Sequence, residues 1–140
     1  MSLDPRMLVP LLRSARTIAV VGLSPKEDRP SFRVAAYLQQ VGYRIVPVRP
    51  GSSQILGETC YPSLRDLPAD LKVDIVDVFR KAEETPPVAR DAVAIGARVL
   101  WLQSGIVSDE AMAIATAAGL TGIQDHCLMV EHRMLAAQLR

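Results

Sequence analysis

The residues best suited to chemistry lie together in one loop near the start of the chain. Gly22 follows the apolar segment 17–21, and the loop then supplies two serines and two cationic side chains, Ser24, Lys26, Arg29 and Ser31. Glycine lets a ligand approach the backbone closely, and hydroxyl and guanidinium groups donate hydrogen bonds to phosphate oxygens. A helix should begin where this loop ends, and its unpaired N–H groups add partial positive charge. The loop therefore predicts a phosphate-binding site.

A second candidate, Arg49, distinguishes among nucleotide ligands. The first loop lacks the second and third glycines of the dinucleotide fingerprint G-x-G-x-x-G. Where an NAD-binding domain usually carries an acidic residue for the adenosine ribose, this chain has Val48, Arg49 and Pro50. A guanidinium at that place favours a ligand with an additional phosphate on the ribose. Coenzyme A and NADP both carry one and stay open, NAD is disfavoured, and an ordinary exposed loop arginine is the alternative interpretation.

Further candidates follow two later apolar segments. Phe79 and Arg80 end one of them, and Arg80 is a charge placed directly after a predicted buried strand. Gln103 and Gly105 follow segment 98–102 and offer an amide and a backbone N–H to the polar arm of a cofactor. Phe79, taken alone, is more typical of core packing than of ligand stacking.

No combination of residues in the sequence supports catalysis. His126 and Cys127 are adjacent, but neighbours in an extended chain point to opposite sides, and no third group is evident to orient them. His132 lacks further ligands at metal spacing. Asp74 and Asp77 have an odd separation, which puts them on opposite faces of a strand. We therefore expect a binding protein without catalytic or metal-binding residues.

The candidate residues must be positioned by strands that alternate with helices. Asp4, Pro30 or Ser31, Thr85 and Ser108 are predicted to start helices, and Gly42, Gly96 and Gly119 to end the last three. A helical turn is predicted at 63–66, and the tail from Leu128 has helical composition. Strands are predicted at 17–21, 43–48, 73–79, 98–102 and 121–124. Helical crossovers between strands indicate a parallel sheet, and in such a sheet the loops at the carboxyl ends of the strands form the ligand crevice.

Composition narrows the class of protein. A chain of 140 residues predicts one domain, with an N-terminal helix at 1–15 and a core at 16–135. The net charge of +1 and the aromatic content of 4% argue against a nucleic-acid partner. Apolar runs are only strand-length, which argues against a membrane. Cys60 and Cys127 form neither a metal motif nor a disulfide framework, and the first residues do not resemble a signal peptide, so we expect a cytoplasmic protein.

Several motifs occur in a fixed order along nearly the whole chain. They are Gly22-x-Ser24-Pro25-Lys26, Arg29-Pro30-Ser31, Gly42-Tyr43-Arg44-Ile45-Val46-Pro47-Val48-x-Pro50, Leu56-Gly57-Glu58, Tyr61-Pro62-Ser63-Leu64, Val73-Asp74-Ile75-Val76-Asp77-Val78-Phe79-Arg80 and Trp101-Leu102-Gln103-Ser104-Gly105-Ile106. In these motifs the chain resembles the small stand-alone CoA-binding-domain proteins from about Thr17 to Leu135. It is more distantly similar to the CoA-binding part of the succinyl-CoA synthetase α subunit.

The resemblance implies a Rossmann-like fold, that is, a doubly wound α/β domain with a mainly parallel five-stranded sheet and helices on both faces. It implies coenzyme A as ligand, with the diphosphate at Gly22, Ser24, Arg29 and Ser31. The adenosine end would lie near the loops at 47–51 and 79–81, and the pantetheine arm would pass towards Gln103 and Gly105.

Two positions depart from the family pattern. Arg49 stands where the family usually has Asn, and His126 stands where it usually has Arg. The ligase chemistry of the synthetase is not expected to carry over, because we find no equivalent of its phosphorylated histidine or of its nucleotide-grasping partner domain.

We therefore expect a protein that binds coenzyme A or an acyl-CoA without reacting it. Two alternatives stay open. One is an NADP-dependent or acyl-CoA-handling enzyme that uses Cys127 or His126, and the other is a protein-interaction module whose nucleotide site is vestigial. A second copy of the chain or another protein remains open as a partner.

Overall fold

The computed structural model describes residues 3–139. Helices α1 to α5 span Pro5–Ser14, Pro30–Gln40, Thr85–Ala94, Asp109–Ala117 and Leu128–Met134. Strands β1 to β7 span Thr17–Val21, Arg44–Val48, Gln54–Ile55, Glu58–Thr59, Ile75–Val78, Val99–Leu102 and Thr121–Ile123. Single 3₁₀ turns lie at Leu64–Asp66, Ala82–Glu84 and Ala136–Gln138. Of the predicted N-terminal helix at 1–15, residues 1 and 2 lie outside the described part of the chain.

The main sheet has five strands in the order β2-β1-β5-β6-β7, and every neighbouring pair is parallel. If only the strands of this sheet are numbered along the chain, their order in space is 2-1-3-4-5. The direction of the connections reverses between β1 and β5, and in such sheets the ligand crevice lies at the carboxyl ends of the two strands. The prediction of a doubly wound, Rossmann-like α/β fold is confirmed. β1 has the predicted bounds, and the other four strands of this sheet are one to three residues shorter than predicted, as at β5, which begins at Ile75 and not at Val73.

Alternate residues of the strands bury two separate apolar layers. One face packs under α1, α2 and α5, and its buried residues include Ile18, Val20, Ile75, Trp101, Leu8, Leu12, Val34, Leu38 and Leu128. The other face packs under α3 and α4, and its buried residues include Ala19, Val21, Val76, Leu100, Ala89, Ala92, Ala111 and Ala115. Alanines on α3 and α4 let these helices pack closely, while bulky side chains fill the first layer.

Local signals explain most helix boundaries. Asp4 caps α1 through its carboxylate, which accepts a hydrogen bond from the Arg6 N–H at 2.9 Å, and Ser108 caps α4 through the Ala111 N–H at 3.1 Å. Gly42 has φ of +112° directly after α2, where an L residue would be strained. α2 begins at Pro30, and Gly119 has φ of +88° shortly after the end of α4. The predicted start and stop residues of α2 and α4 are therefore confirmed.

A short antiparallel hairpin, β3–β4, was not predicted. It turns at Leu56 and Gly57, which both have positive φ, as a two-residue type I′ turn requires. The chain then returns to the main sheet, where Tyr61 forms a bridge with Val48 at the end of β2. This return fixes the loop that carries Arg49, because the Arg49 N–H donates to the Tyr61 carbonyl at 2.9 Å.

Candidate functional site

The first candidate loop leaves the sheet at the carboxyl end of β1, beside the carboxyl end of β5. Gly22 has φ of +85°, and a Cβ built on it would collide with the carbonyl oxygen of Phe79. Its N–H donates to the Val48 carbonyl at 2.8 Å. Glycine is thus needed here for contact with the protein's own backbone, a reason that differs from the close ligand approach inferred from sequence. The result is a tight junction of three strand ends.

Hydrogen bonds within the loop hold it against the start of α2. The Ser24 N–H donates to the Ser31 hydroxyl oxygen at 3.0 Å, and the Lys26 N–H donates to the Ser24 hydroxyl oxygen at 3.1 Å. Both hydroxyls therefore accept from the backbone and keep their own O–H to donate. Arg29 is the N-cap residue of α2, and no side-chain cap satisfies the first N–H groups of this helix in the described chain. Donors from the loop and the helix thus converge.

These donors line the first cavity, which has a volume of about 470 Å³. Three of its residues are cations, namely Lys26, Arg29 and Arg49, and none of the described residues that line it is acidic. Neither Lys26 nor Arg29 has an ion-pair partner within residues 3–139. An unpaired cationic cluster beside an open helix start binds anions, and a phosphate group suits it best. The full lining is Gly22, Ser24, Lys26, Arg29, Pro30, Ser31, Arg49 and Phe79.

The second cavity lies beyond Arg49 and has a volume of about 500 Å³. The guanidinium nitrogen Nε of Arg49 donates to the Pro50 carbonyl at 3.1 Å, so the side chain stands between the first and second cavities, both of which it lines. The remaining lining mixes apolar side chains with acids and one more arginine. It consists of Val21, Val48, Pro50, Pro62, Ser63, Leu64, Arg80, Glu83, Glu84, Pro87, Val88 and Asp91.

Arg80, one of the predicted ligand contacts, is engaged within the protein. Its guanidinium contacts the Glu84 carboxylate at 2.8 Å one helical turn further along the chain. This hydrogen bond and the positive charge of Arg80 lower the pKa of Glu84. Arg80 still lines the second cavity, but part of its charge is already neutralised by Glu84.

The third cavity adjoins the first on its other side, because Pro30 and Phe79 line both. Its volume is about 270 Å³ and its lining is mostly apolar. Gln103, one of its lining residues, is buried, and the Gln103 side-chain oxygen accepts a hydrogen bond from the Leu128 N–H at 3.1 Å. The remaining lining residues are Arg33, Val34, Ser104, Ile106, Cys127 and Met129. The three cavities thus form a continuous row along the carboxyl edge of the sheet.

The structure brings eleven of the twelve predicted ligand contacts to this row of cavities. The exception is Gly105, which lines none of the three cavities. Its N–H donates to the Asp125 carboxylate at 2.7 Å, so this backbone group is used to hold a neighbouring loop. Sequence reasoning did not select Pro62, Val88 or Ile106, which form apolar walls, because an apolar side chain in a sequence does not reveal whether it faces the core or a cavity.

The residues considered for catalysis are not assembled into one site. The ring Nδ1 of His126 lies 3.7 Å from the Glu131 carboxylate, whereas Cys127 faces the third cavity. His132 is buried with its Nδ1 2.8 Å from the Tyr37 hydroxyl, and burial lowers the pKa of His132. Within residues 3–139, no cluster of three histidine, cysteine or acidic side chains is arranged to hold a metal ion.

Among the helices of residues 3–139, none has the length and apolar character needed to span a bilayer.

Comparison with known proteins identifies the family. A family model described as "CoA binding domain" matches residues 16–133. The protein "Uncharacterized protein YneT" of Bacillus subtilis is 40% identical over 122 residues, which cover 87% of this chain and 89% of that protein. The structure of cell-free ID.343 from Thermus thermophilus is 37% identical with a TM-score of 0.89, and the match covers 95% of this chain and 99% of that one.

A longer relative contains the same domain as a small part. The ADP-forming acetate–CoA ligase II of Archaeoglobus fulgidus is 31% identical over 97 residues, which cover 68% of this chain but only 14% of the ligase. The similarity therefore concerns one domain of that enzyme. Because the family model spans most of the chain, this protein belongs to the CoA binding domain family.

Proposed function

We propose that this protein binds coenzyme A or an acyl-CoA across the three cavities without reacting it. The observation that carries the proposal is the first cavity, where Lys26, Arg29 and Arg49 surround an open helix start and no acidic residue of the described chain intervenes. A site of this kind at the strand-order reversal suits the diphosphate of a nucleotide cofactor. Ser24 and Ser31 would complete the contact with their hydroxyl protons.

The adenosine end of the ligand would occupy the second cavity. Pro50, Pro62 and Val88 supply apolar walls there for a flat base. Arg49 stands between the two cavities and reaches the ribose from the diphosphate side, so its guanidinium would bind the additional phosphate of coenzyme A. Glu83, Glu84 and Asp91 also line this cavity, and their negative charges disfavour a second anionic group there. Arg80, paired with Glu84, contributes less than its charge alone would predict.

The pantetheine arm would enter the third cavity. This arm is uncharged and carries two amides between short aliphatic segments, so it suits a mostly apolar channel whose lining includes the amide of Gln103. Phe79 and Pro30 line both the first and the third cavity and would flank the arm where it leaves the diphosphate. Support for a role without catalysis comes from His126 and Cys127, which face different surroundings.

Calorimetric titration with coenzyme A, dephospho-coenzyme A, NADP and NAD tests this proposal. We expect micromolar binding of coenzyme A, which corresponds to about −8 kcal/mol. Dephospho-coenzyme A lacks the additional phosphate and should bind about 10- to 150-fold more weakly, since one charged hydrogen bond contributes about 1.5–3 kcal/mol. The wild-type preference between the two should disappear in Arg49→Ala. Tighter binding of NADP than of coenzyme A would overturn the choice of ligand.

Arg29→Ala should weaken coenzyme A by about 1–3 kcal/mol, because it removes a charged donor to the diphosphate. Arg44→Ala is the matched control. Arg44 is also exposed but begins β2 at the opposite end of the sheet, so its removal should leave the affinity unchanged. Equal effects of the two substitutions would mean that the first cavity does not hold the phosphates.

A further inference from the structure

The third cavity holds a free thiol. Cys127 is half-buried, forms no disulfide, and lines this cavity together with Gln103. Hydrogen bonds of its two neighbours in the chain hold Cys127 in place. The next residue, Leu128, donates its backbone N–H to the Gln103 side-chain oxygen. The carbonyl of His126 on the other side accepts from the Trp101 indole N–H at 2.8 Å. The position of Cys127 beside the carboxyl end of β6 is therefore fixed from both neighbours.

Gln103 supplies an independent indication of a ligand in the same cavity. Its side chain is only 4% exposed, and its oxygen is satisfied by Leu128. Its amide nitrogen makes no hydrogen bond among the described residues and faces the third cavity. The nitrogen is therefore a free donor on an otherwise buried side chain, and it opens onto a mostly apolar channel where an uncharged acceptor of a ligand can reach it. An amide carbonyl of a ligand arm is such an acceptor.

The direction of the ligand follows from the continuity of the cavities. A ligand whose diphosphate lies in the first cavity can extend past Pro30 and Phe79 only into the third cavity or out to solvent. Its amide-bearing arm would satisfy Gln103, and its terminal thiol would then lie in the cavity that Cys127 lines. This step rests on the proposed function.

We propose that Cys127 is a modification site, at which it forms a mixed disulfide with the pantetheine thiol of coenzyme A. The reaction is thiol–disulfide exchange with the symmetric disulfide of coenzyme A. The Cys127 thiol first loses its proton to solvent, and the thiolate attacks the sulfur of the bound half. The sulfur–sulfur bond of the ligand breaks, the other half leaves as a thiolate that takes up a proton, and no further oxidant is consumed.

The other cysteine provides an internal comparison. Cys60 is 7% exposed and lines none of the three cavities. Its thiol donates to the Arg49 carbonyl at 3.6 Å, and burial raises the pKa of Cys60. A smaller thiolate fraction and restricted access both slow exchange. Modification should therefore select Cys127.

Intact-mass analysis after incubation with the disulfide of coenzyme A tests the proposal. We expect one adduct that dithiothreitol removes, that maps to the peptide containing Cys127, and that Cys127→Ser abolishes. Cys60→Ser should keep the adduct. Pantetheine disulfide has the same arm without the nucleotide, and it should react about tenfold more slowly at low concentration, which is the effect of losing about 1.4 kcal/mol of binding. Arg29→Ala should remove most of that difference.

Three results would overturn the proposal: an adduct on Cys60, equal rates with the two disulfides, or no adduct. Titration of the wild-type protein with reduced coenzyme A in the presence of dithiothreitol separates this inference from the function on which it rests. Binding of reduced coenzyme A, together with the absence of an adduct after incubation with the disulfide, would reject the modification site alone. Absence of binding would reject the proposed function as well.

Discussion

The two ends of the parallel sheet both carry cavities, but they use their cations differently. The amino end has the larger cavity, about 730 Å³, which is lined in part by Gly119 and Arg98. Arg98 is engaged there, because its guanidinium contacts the Asp74 carboxylate at 3.5 Å and the Ser14 hydroxyl at 3.0 Å. At the carboxyl end, Lys26 and Arg29 have no such partners within the described residues. Unpaired charge, and not cavity size, distinguishes the proposed ligand site.

The largest effect should come from the glycine at the carboxyl end. Gly22→Ala forces an L residue to φ of +85° and brings a Cβ against the Phe79 carbonyl oxygen. Positive φ costs about 1–2 kcal/mol and an overpacked contact about 1–3 kcal/mol. We expect the free energy of unfolding in urea to fall by about 3 kcal/mol, with a loss of affinity for coenzyme A.

The amino end offers a matched control for this substitution. Gly119 has φ of +88°, but a Cβ built there meets no atom of the described chain within 4 Å. Gly119→Ala should therefore cost only the backbone strain, about 1–2 kcal/mol, and leave the affinity for coenzyme A unchanged. Equal losses of stability in the two variants would show that the contact with Phe79 contributes nothing.

An intermediate effect should separate two aspartates of the β5 region, one directly before the strand and one within it. Asp74, before the strand, accepts hydrogen bonds from the Arg16 and Thr17 N–H groups at 2.8 and 3.0 Å. Asp77 is fully buried, and both of its carboxylate oxygens lack a partner in the described chain. Its register with Val20 and Trp101 places it in the layer under α1, α2 and α5. Burial without a partner raises the pKa of Asp77 well above its ordinary value.

Substitution of these two aspartates should change stability in opposite directions. Asp77→Leu should raise the free energy of unfolding at pH 8 by about 1–3 kcal/mol, because it removes an unsatisfied buried group. Asp74→Leu should lower it by a similar amount, because it leaves two N–H groups without acceptors.

The pH dependence gives a second measurement for Asp77. Since its folded-state pKa is raised, the folded wild type binds the proton more tightly than the unfolded chain. Wild-type stability should fall as the pH rises from about 4, the ordinary value for an aspartate, through the raised value. The advantage of Asp77→Leu should therefore grow over that interval in urea unfolding. A constant difference between pH 5 and pH 8 would contradict the raised pKa.

Sequence reasoning reached the fold more completely than the site. Runs of β-branched residues and the glycines after α2, α3 and α4 made the main sheet predictable, because these signals act locally. The β3–β4 hairpin was missed because Leu56 adopts φ of +56° at a turn position where glycine or asparagine is usual. Gly105 and Arg80 illustrate the limit at the site. Asp125, the partner of Gly105, becomes its neighbour only in the folded chain. Glu84 is four residues from Arg80, and this spacing brings the two together only because the chain makes a helical turn there.

The smallest effect should come from the paired cation at the amino end. The Arg98 and Asp74 side chains are 53% and 20% exposed, and ion pairs at such positions contribute about 0–1 kcal/mol. Arg98→Ala should therefore lower the free energy of unfolding by less than about 1 kcal/mol and leave coenzyme A binding unchanged, as measured by urea unfolding and calorimetry. Its counterpart at the carboxyl end, Arg29→Ala, should have the reverse pattern, since Arg29 has no internal partner to lose. A loss of affinity in Arg98→Ala would place ligand at the amino-end cavity and remove the distinction between the two ends.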